Sequence, residues 1–107
     1  SELREFLKNN QEKHQLILCA DTLNYVGDCA GIFELVAQGL EKGGLFLCST
    51  EHCEGDGFFM QSNERFAHSD TYIRSISCPL TVLASKSAIM RYEAGVAVWG
   101  TLWLFEL

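Results

Sequence analysis

Two histidines and a glutamate are the first residues here with types suited to proton transfer. His52 follows Glu51, and His68 stands at the far end of the polar stretch that begins there. An imidazole titrates near neutral pH, so His52 or His68 can serve as a general base, with Glu51 as a carboxylate alternative. The competing fate for all three is a solvated or hydrogen-bonded loop residue. Cys48 and Cys53 flank His52 with zinc-ligand residue types, but tetrahedral zinc recruits a second close pair and Cys78 stands alone, so no metal site is expected. Cys53 with His52 or His68 has the makings of a nucleophile pair, without an evident orienting partner. Glu51, Glu54 and Asp56 lack the alternating oxygen ligands of a calcium loop and read as solvated acid.

The elements that must position these groups are legible in the hydrophobic pattern. Leu3, Phe6 and Leu7 are spaced for a helix over about residues 2–10, with Glu2 and Glu5 at its positive end. Leu16 to Ala20 is a continuous apolar run, which predicts a buried parallel strand. Asp28 can cap a helix that reaches about Leu40 and carries a Phe33, Val36 and Leu40 stripe widened by Ile32 and Leu35. Gly43-Gly44 is expected to stop it, and Leu45 to Ser49 forms the next strand, completing a right-handed βαβ unit.

Glu51 to His68 reads as one long functional loop. Ser69 can cap a third helix through Tyr72, Ile73 and Ile76 that Pro79 ends. Thr81 to about Met90 and Val96 to Phe105 predict an antiparallel hairpin turning around Glu93-Ala94-Gly95, its second strand apolar on both faces and therefore covered on both.

Composition bounds the class of molecule. A chain of 107 residues, 48% hydrophobic and 21% charged, suits a single globular domain covering residues 1–107. Its net charge of −6 argues against nucleic acid, which selects basic surfaces. The longest apolar stretch, near Gly95 to Phe105, falls short of the roughly 20 residues of a membrane helix, so no membrane association is expected. Five cysteines, an odd number with Cys19 and Cys48 inside apolar runs, fit a reducing cytoplasm.

Three segments carry a family resemblance. Leu16 to Asp28 resembles the fourth strand of a class I S-adenosylmethionine-dependent methyltransferase and the segment after it. Leu40-Glu41-Lys42-Gly43-Gly44-Leu45-Phe46 is similar to that family's Leu-x-Pro-Gly-Gly signature, with Lys42 in place of proline. Arg65-Phe66-Ala67-His68-Ser69 followed by Tyr72-Ile73-Arg74 is similar to a loop and helix of a small-molecule branch related to quinone-pathway enzymes.

The resemblance implies an α/β fold: a partial Rossmann-like sheet of about four strands, two parallel plus the C-terminal antiparallel hairpin, with helices packed on it. It also implies that the chain matches the C-terminal part of such a domain, because no Gly-x-Gly lies in a strand-to-helix turn where a cofactor would need close backbone approach.

Asp21, Thr22 and Leu23 would line the methionine end of the S-adenosylmethionine pocket in the intact enzyme, while this chain alone is expected to bind no cofactor. Tyr25, Arg65 and Tyr72 would contact a small-molecule methyl acceptor, with His68, His52 or Glu51 as base. The alternative is a truncated or degenerate domain that self-associates or docks on another polypeptide. An apolar Leu16–Ala20 edge without lysine or proline predicts a homodimer through that edge.

Overall fold

The computed structural model describes residues 14–19, 23–61 and 65–107. The expected first helix, Ala20, Asp21 and Thr22 lie outside the described residues. In chain order the elements are β1 (His14–Cys19), a 3-10 turn (Leu23–Tyr25), α1 (Ala30–Gly39), β2 (Leu40–His52), β3 (Phe58–Met60), β4 (Phe66–His68), α2 (Asp70–Ile76), β5 (Thr81–Glu93) and β6 (Val96–Glu106).

β2 organises the sheet. One of its edges pairs antiparallel with β6 from Leu45 to Glu51, and β6 in turn pairs with β5. The other edge pairs parallel with β1 as far as Cys48 and then, at Glu51 and His52, parallel with β4, which carries β3 outside it. The parallel pair and the terminal hairpin follow the hydrophobic pattern. Ala94 and Gly95 both have positive φ, 48° and 80°, the geometry of a two-residue hairpin turn whose twist suits the strands it joins.

One face of the sheet is covered. Ile32, Phe33 and Val36 of α1 are buried against it, and the Phe33 ring meets Phe46 and Phe105 edge-on at 5.7 and 5.1 Å. Burying each such side chain is worth about 1.5–3 kcal/mol. Trp103 stacks on Phe105 and donates from Nε1 to the buried Thr50 hydroxyl at 2.9 Å, so neither polar group is left unpaired. α2 starts as expected, with the Ser69 hydroxyl accepting from the Tyr72 amide at 3.0 Å.

Four expectations need correction. α1 ends at Gly39, and Leu40 is already extended, so Gly43-Gly44 does not stop it. Gly43, with φ 82°, instead lies in a distortion of β2 where its register with β1 slips; its amide donates to the Leu107 carbonyl at 2.8 Å. The segment from Glu51 to His68 is not one loop, because β2 runs on to His52 and two three-residue strands follow, too short for their alternation to stand out in sequence.

Nor are the apolar strands covered on both faces. Along β1 Ile17 and Cys19 are buried while Leu16 and Leu18 are exposed, and on β6 Leu102 is exposed between the buried Thr101 and Trp103. Strand alternation sends these side chains to a second face that no described helix covers. Finally, Asp28 is not the N-cap of α1; Cys29 is, although the Asp28 carboxylate still accepts from the Ala30 amide at 3.1 Å.

Gly100 of β6 sits opposite Glu51, where a Cβ would fall inside contact distance of the Thr50 carbonyl oxygen and the Met90 side chain. Gly100→Ala should therefore lower stability by about 1–3 kcal/mol through overpacking against backbone. Gly57→Ala, which meets nothing within 4 Å, should change it by less than about 0.5 kcal/mol. Urea unfolding of the two variants checks this, and equal midpoints would contradict the close approach.

Candidate functional site

The carboxyl ends of β1 and β2 are where an open α/β sheet presents side chains to a ligand. β1 pairs with β2 only as far as Cys48, so the last residues of β2 extend past it and pair with β4 instead. Two polar clusters form there.

The first is centred on Glu51, whose side chain is nearly inaccessible. Its Oε2 accepts from Arg65 Nε at 2.8 Å and from Arg91 Nη1, and its Oε1 accepts from Gln61 Nε2 at 3.0 Å. Arg65 also donates from Nη1 to the Tyr25 hydroxyl at 3.0 Å, its guanidinium 5.1 Å from the centre of the Tyr25 ring. Arg91 donates from Nη2 to Glu93 at 2.8 Å. One carboxylate thereby ties the 3-10 turn, the segment before β4 and the terminal hairpin to the end of β2. With both oxygens accepting from charged or amide donors, Glu51 has the geometry of an anchor for two cations.

The second cluster lies on the helix-covered side around His68, which is fully buried. Its Nε2 is 2.8 and 3.0 Å from the carbonyl oxygens of Val26 and Gly27, and 3.3 Å from Cys29 Sγ. Both carbonyls can only accept, so Nε2 carries the proton and cannot take one from the Cys29 thiol. The remaining ring nitrogen, Nδ1, is buried without a hydrogen-bond partner. Burial pushes the imidazole below its ordinary value, against the Val26 and Gly27 carbonyls and the Glu51 charge, which pull it up.

Tyr72 stacks on the His68 ring with centroids 6.0 Å apart, donates its hydroxyl to Asp28 Oδ1 at 3.1 Å and accepts from the Cys29 amide at 3.0 Å. Its phenol is pushed up to about 12, chiefly by burial and further by Asp28. Phe58 and Phe66 lie so close over Gly27 that a Cβ there would sit 2.7 Å from each ring. His68, Tyr72 and this aromatic roof clamp the loop between β1 and α1.

His52 belongs to neither cluster. Exposed at the end of β2, it meets Glu54 at 3.2 Å and Asp70 at 3.5 Å. Cys53 gives its thiol to the Gly57 carbonyl at 3.7 Å, and burial, then Glu54 and Asp70, push that thiol up, away from a nucleophilic thiolate. The structure thus brings Tyr25, Arg65 and Glu51 together, sets His68 and Tyr72 in a separate network, and leaves His52 apart. Leu23, expected at the cofactor, is fully buried among core residues. Sequence reasoning missed Arg91 and Gln61, and it gave Asp28 and Cys29 no part in the site; Arg91 reaches Glu51 across 40 residues, and no local pattern signals such a pair.

No protein-family profile matches the sequence, and no curated protein does. Solved structures do match its fold. The N-methyltransferase NodS from Bradyrhizobium japonicum WM9, in complex with S-adenosyl-L-homocysteine, is 18% identical with a TM-score of 0.68 over 99% of this chain and 51% of its own. TehB from Haemophilus influenzae is 10% identical, with a TM-score of 0.74 over 99% of this chain and 39% of its own. An S-adenosylmethionine-dependent methyltransferase from Clostridium acetobutylicum is 16% identical, with a TM-score of 0.64 over 92% of this chain and 60% of its own. The fold is a partial Rossmann-like methyltransferase fold. The chain spans about half the length of these proteins or somewhat more or less, and at such identities the likeness is one of fold.

The buried His68 yields a signed prediction. With its folded pKa below the unfolded value of about 6.5, the unfolded state takes up the proton first as pH falls. The stability His68 contributes is complete above that unfolded value and is lost as pH drops through the window down to the folded pKa. The difference in urea midpoint between the native chain and His68→Gln should therefore shrink between pH 7.5 and pH 5. A difference that grows on acidification would mean that the imidazolium is the favoured form.

Proposed function

We propose that the protein transfers a methyl group from S-adenosylmethionine to a small-molecule acceptor, and that residues 1–107 contribute the acceptor side of the site. The reading is carried by the match of 99% of this chain to half of NodS, an N-methyltransferase bound to S-adenosyl-L-homocysteine. The described residues do not by themselves fit the cofactor: Leu23 is sealed in the core, and no described glycine turn leads from a strand into a helix as a close backbone cradle. In this reading Asp21 and Thr22, and not the buried Leu23, adjoin the methionine end, and polypeptide beyond these residues holds most of the cofactor.

On the acceptor side, Tyr25 and Arg65 form a wall at the carboxyl end of the sheet, with Glu51 and Arg91 fixing the guanidinium. Tyr72 and His68 hold the loop after β1 in register with that wall. A base, where the acceptor needs one, is His68 through Nδ1 once the Phe58 roof opens, or His52 from the rim. Positioning of the acceptor contributes to rate by removing translational and rotational freedom before reaction. The small-molecule acceptor belongs to the quinone-pathway-like branch that the Arg65 to Arg74 segment resembles, and the setting is the cytoplasm.

A second reading, a non-enzymatic module that pairs as a homodimer through β1, is favoured by the exposed Leu16 and Leu18 on that strand. Titration calorimetry separates the readings. Residues 1–107 alone should bind S-adenosylmethionine with a dissociation constant above about 1 mM, under roughly 4 kcal/mol. The polypeptide encoded by the gene should bind it in the micromolar range. No binding by the gene-encoded polypeptide would overturn methyl transfer, and micromolar binding by residues 1–107 would overturn the proposed division of the cofactor site.

A further inference from the structure

Trp99 is 54% exposed although it lies on the helix-covered side of the sheet. The last pair between β2 and β6 joins Glu51 to Gly100, so His52 and Trp99 are the next positions in that register, at the carboxyl end of β2. Thr101 of β6 donates its hydroxyl to Asp70 of α2 at 2.9 Å, and strand alternation puts Trp99, two residues earlier, on the same side. On β5 Ile89 is the register partner of Trp99, and Tyr92 is that of Ala97. Both are exposed, so an indole, a phenol and an aliphatic side chain share one strip of surface there.

The border of this strip is acidic. His52 Nδ1 is 3.5 Å from Asp70 Oδ1, and its Nε2 is 3.2 Å from Glu54 Oε1. The Glu54 side chain is almost fully exposed and that of Asp70 partly so. Neighbouring cations are engaged elsewhere: Arg74 of α2 caps the Trp103 indole at 5.3 Å, and Arg91 holds Glu51 and Glu93. Among the described residues no side-chain cation lies over Trp99.

An exposed indole bordered by carboxylates selects the sign of its ligand. Glu54 and Asp70 repel an anion, and a neutral apolar group gains nothing from them. An organic cation gains from both features, its charge from the carboxylates and the electron-rich face of the indole, its alkyl groups from Ile89 and Tyr92. We infer that Trp99, Tyr92, Asp70 and Glu54 form a binding site for an alkylammonium group. The inference rests on the proposed function in assigning that group to the methyl acceptor, whereas binding itself requires no cofactor.

NMR titration of the 107-residue chain with choline, read at the indole N–H of Trp99, tests it. That signal is assigned by its loss in Trp99→Phe, and the buried Trp103 indole reports that each variant is folded. The control ligand is 3,3-dimethylbutan-1-ol, in which carbon replaces the charged nitrogen. Choline should shift the Trp99 signal with a dissociation constant of about 1–10 mM, and the alcohol should bind about tenfold more weakly. Glu54→Gln and, separately, Asp70→Asn should each weaken choline binding by about twofold to fivefold. Equal binding of choline and the alcohol, no shift of Trp99 with choline, or unchanged choline affinity in both variants would each overturn the inference. Because choline is read without cofactor, failure of S-adenosylmethionine binding in the calorimetric test would remove methyl transfer and leave this site standing.

Discussion

β2 is longer than the strand it pairs with, and the rest of the molecule is arranged around that difference. Past Cys48 its backbone still needs hydrogen-bond partners on the edge that β1 has left, and β4 supplies them at Glu51 and His52. The handover makes room for the turn after β1 and brings the segment before β4 beside the end of β2. Arg65 can then reach Glu51, and His68 can reach the Val26 and Gly27 carbonyls. Without the handover the two polar clusters would have no common wall.

The two clusters solve different electrostatic problems. Glu51 is an almost inaccessible carboxylate, and burying a charge is tolerable only when it is paired and hydrogen-bonded; two guanidiniums and an amide meet that condition. His68 is equally buried; burial favours its neutral form, and the Val26 and Gly27 carbonyls fix the tautomer with Nε2 protonated. The first arrangement fixes cations near the surface, where Tyr25 lies. The second fixes a loop. Neighbouring positions on β2 thereby acquire unlike roles, because alternation sends Glu51 and His52 to opposite sides of the strand.

The aromatic core and the leucine face make the same point about the sheet as a whole. On the α1 side, Phe33, Phe46, Phe105 and Trp103 pack ring against ring around a satisfied Trp103 to Thr50 hydrogen bond. On the other side are leucines at strand spacing with nothing described above them. The two faces of one sheet thus meet unlike surroundings among the described residues.

The sequence by itself determined the local elements. Leu16 to Cys19, the Phe33 and Val36 stripe, the Ser69 cap and the terminal hairpin each depend on residues close together in the chain, and each is where the pattern puts it. Polar residues worth watching were legible too, since Glu51, Arg65, His68 and Tyr72 all have defined partners. Only tertiary structure decided which of them meet. Arg91 and Glu51 are brought together by strand register 40 residues apart, and Gly43 became a strand distortion because the β1 register required one. It also decided what is covered: an apolar run states that a strand has two apolar faces, while burial depends on which elements are present to lie over each.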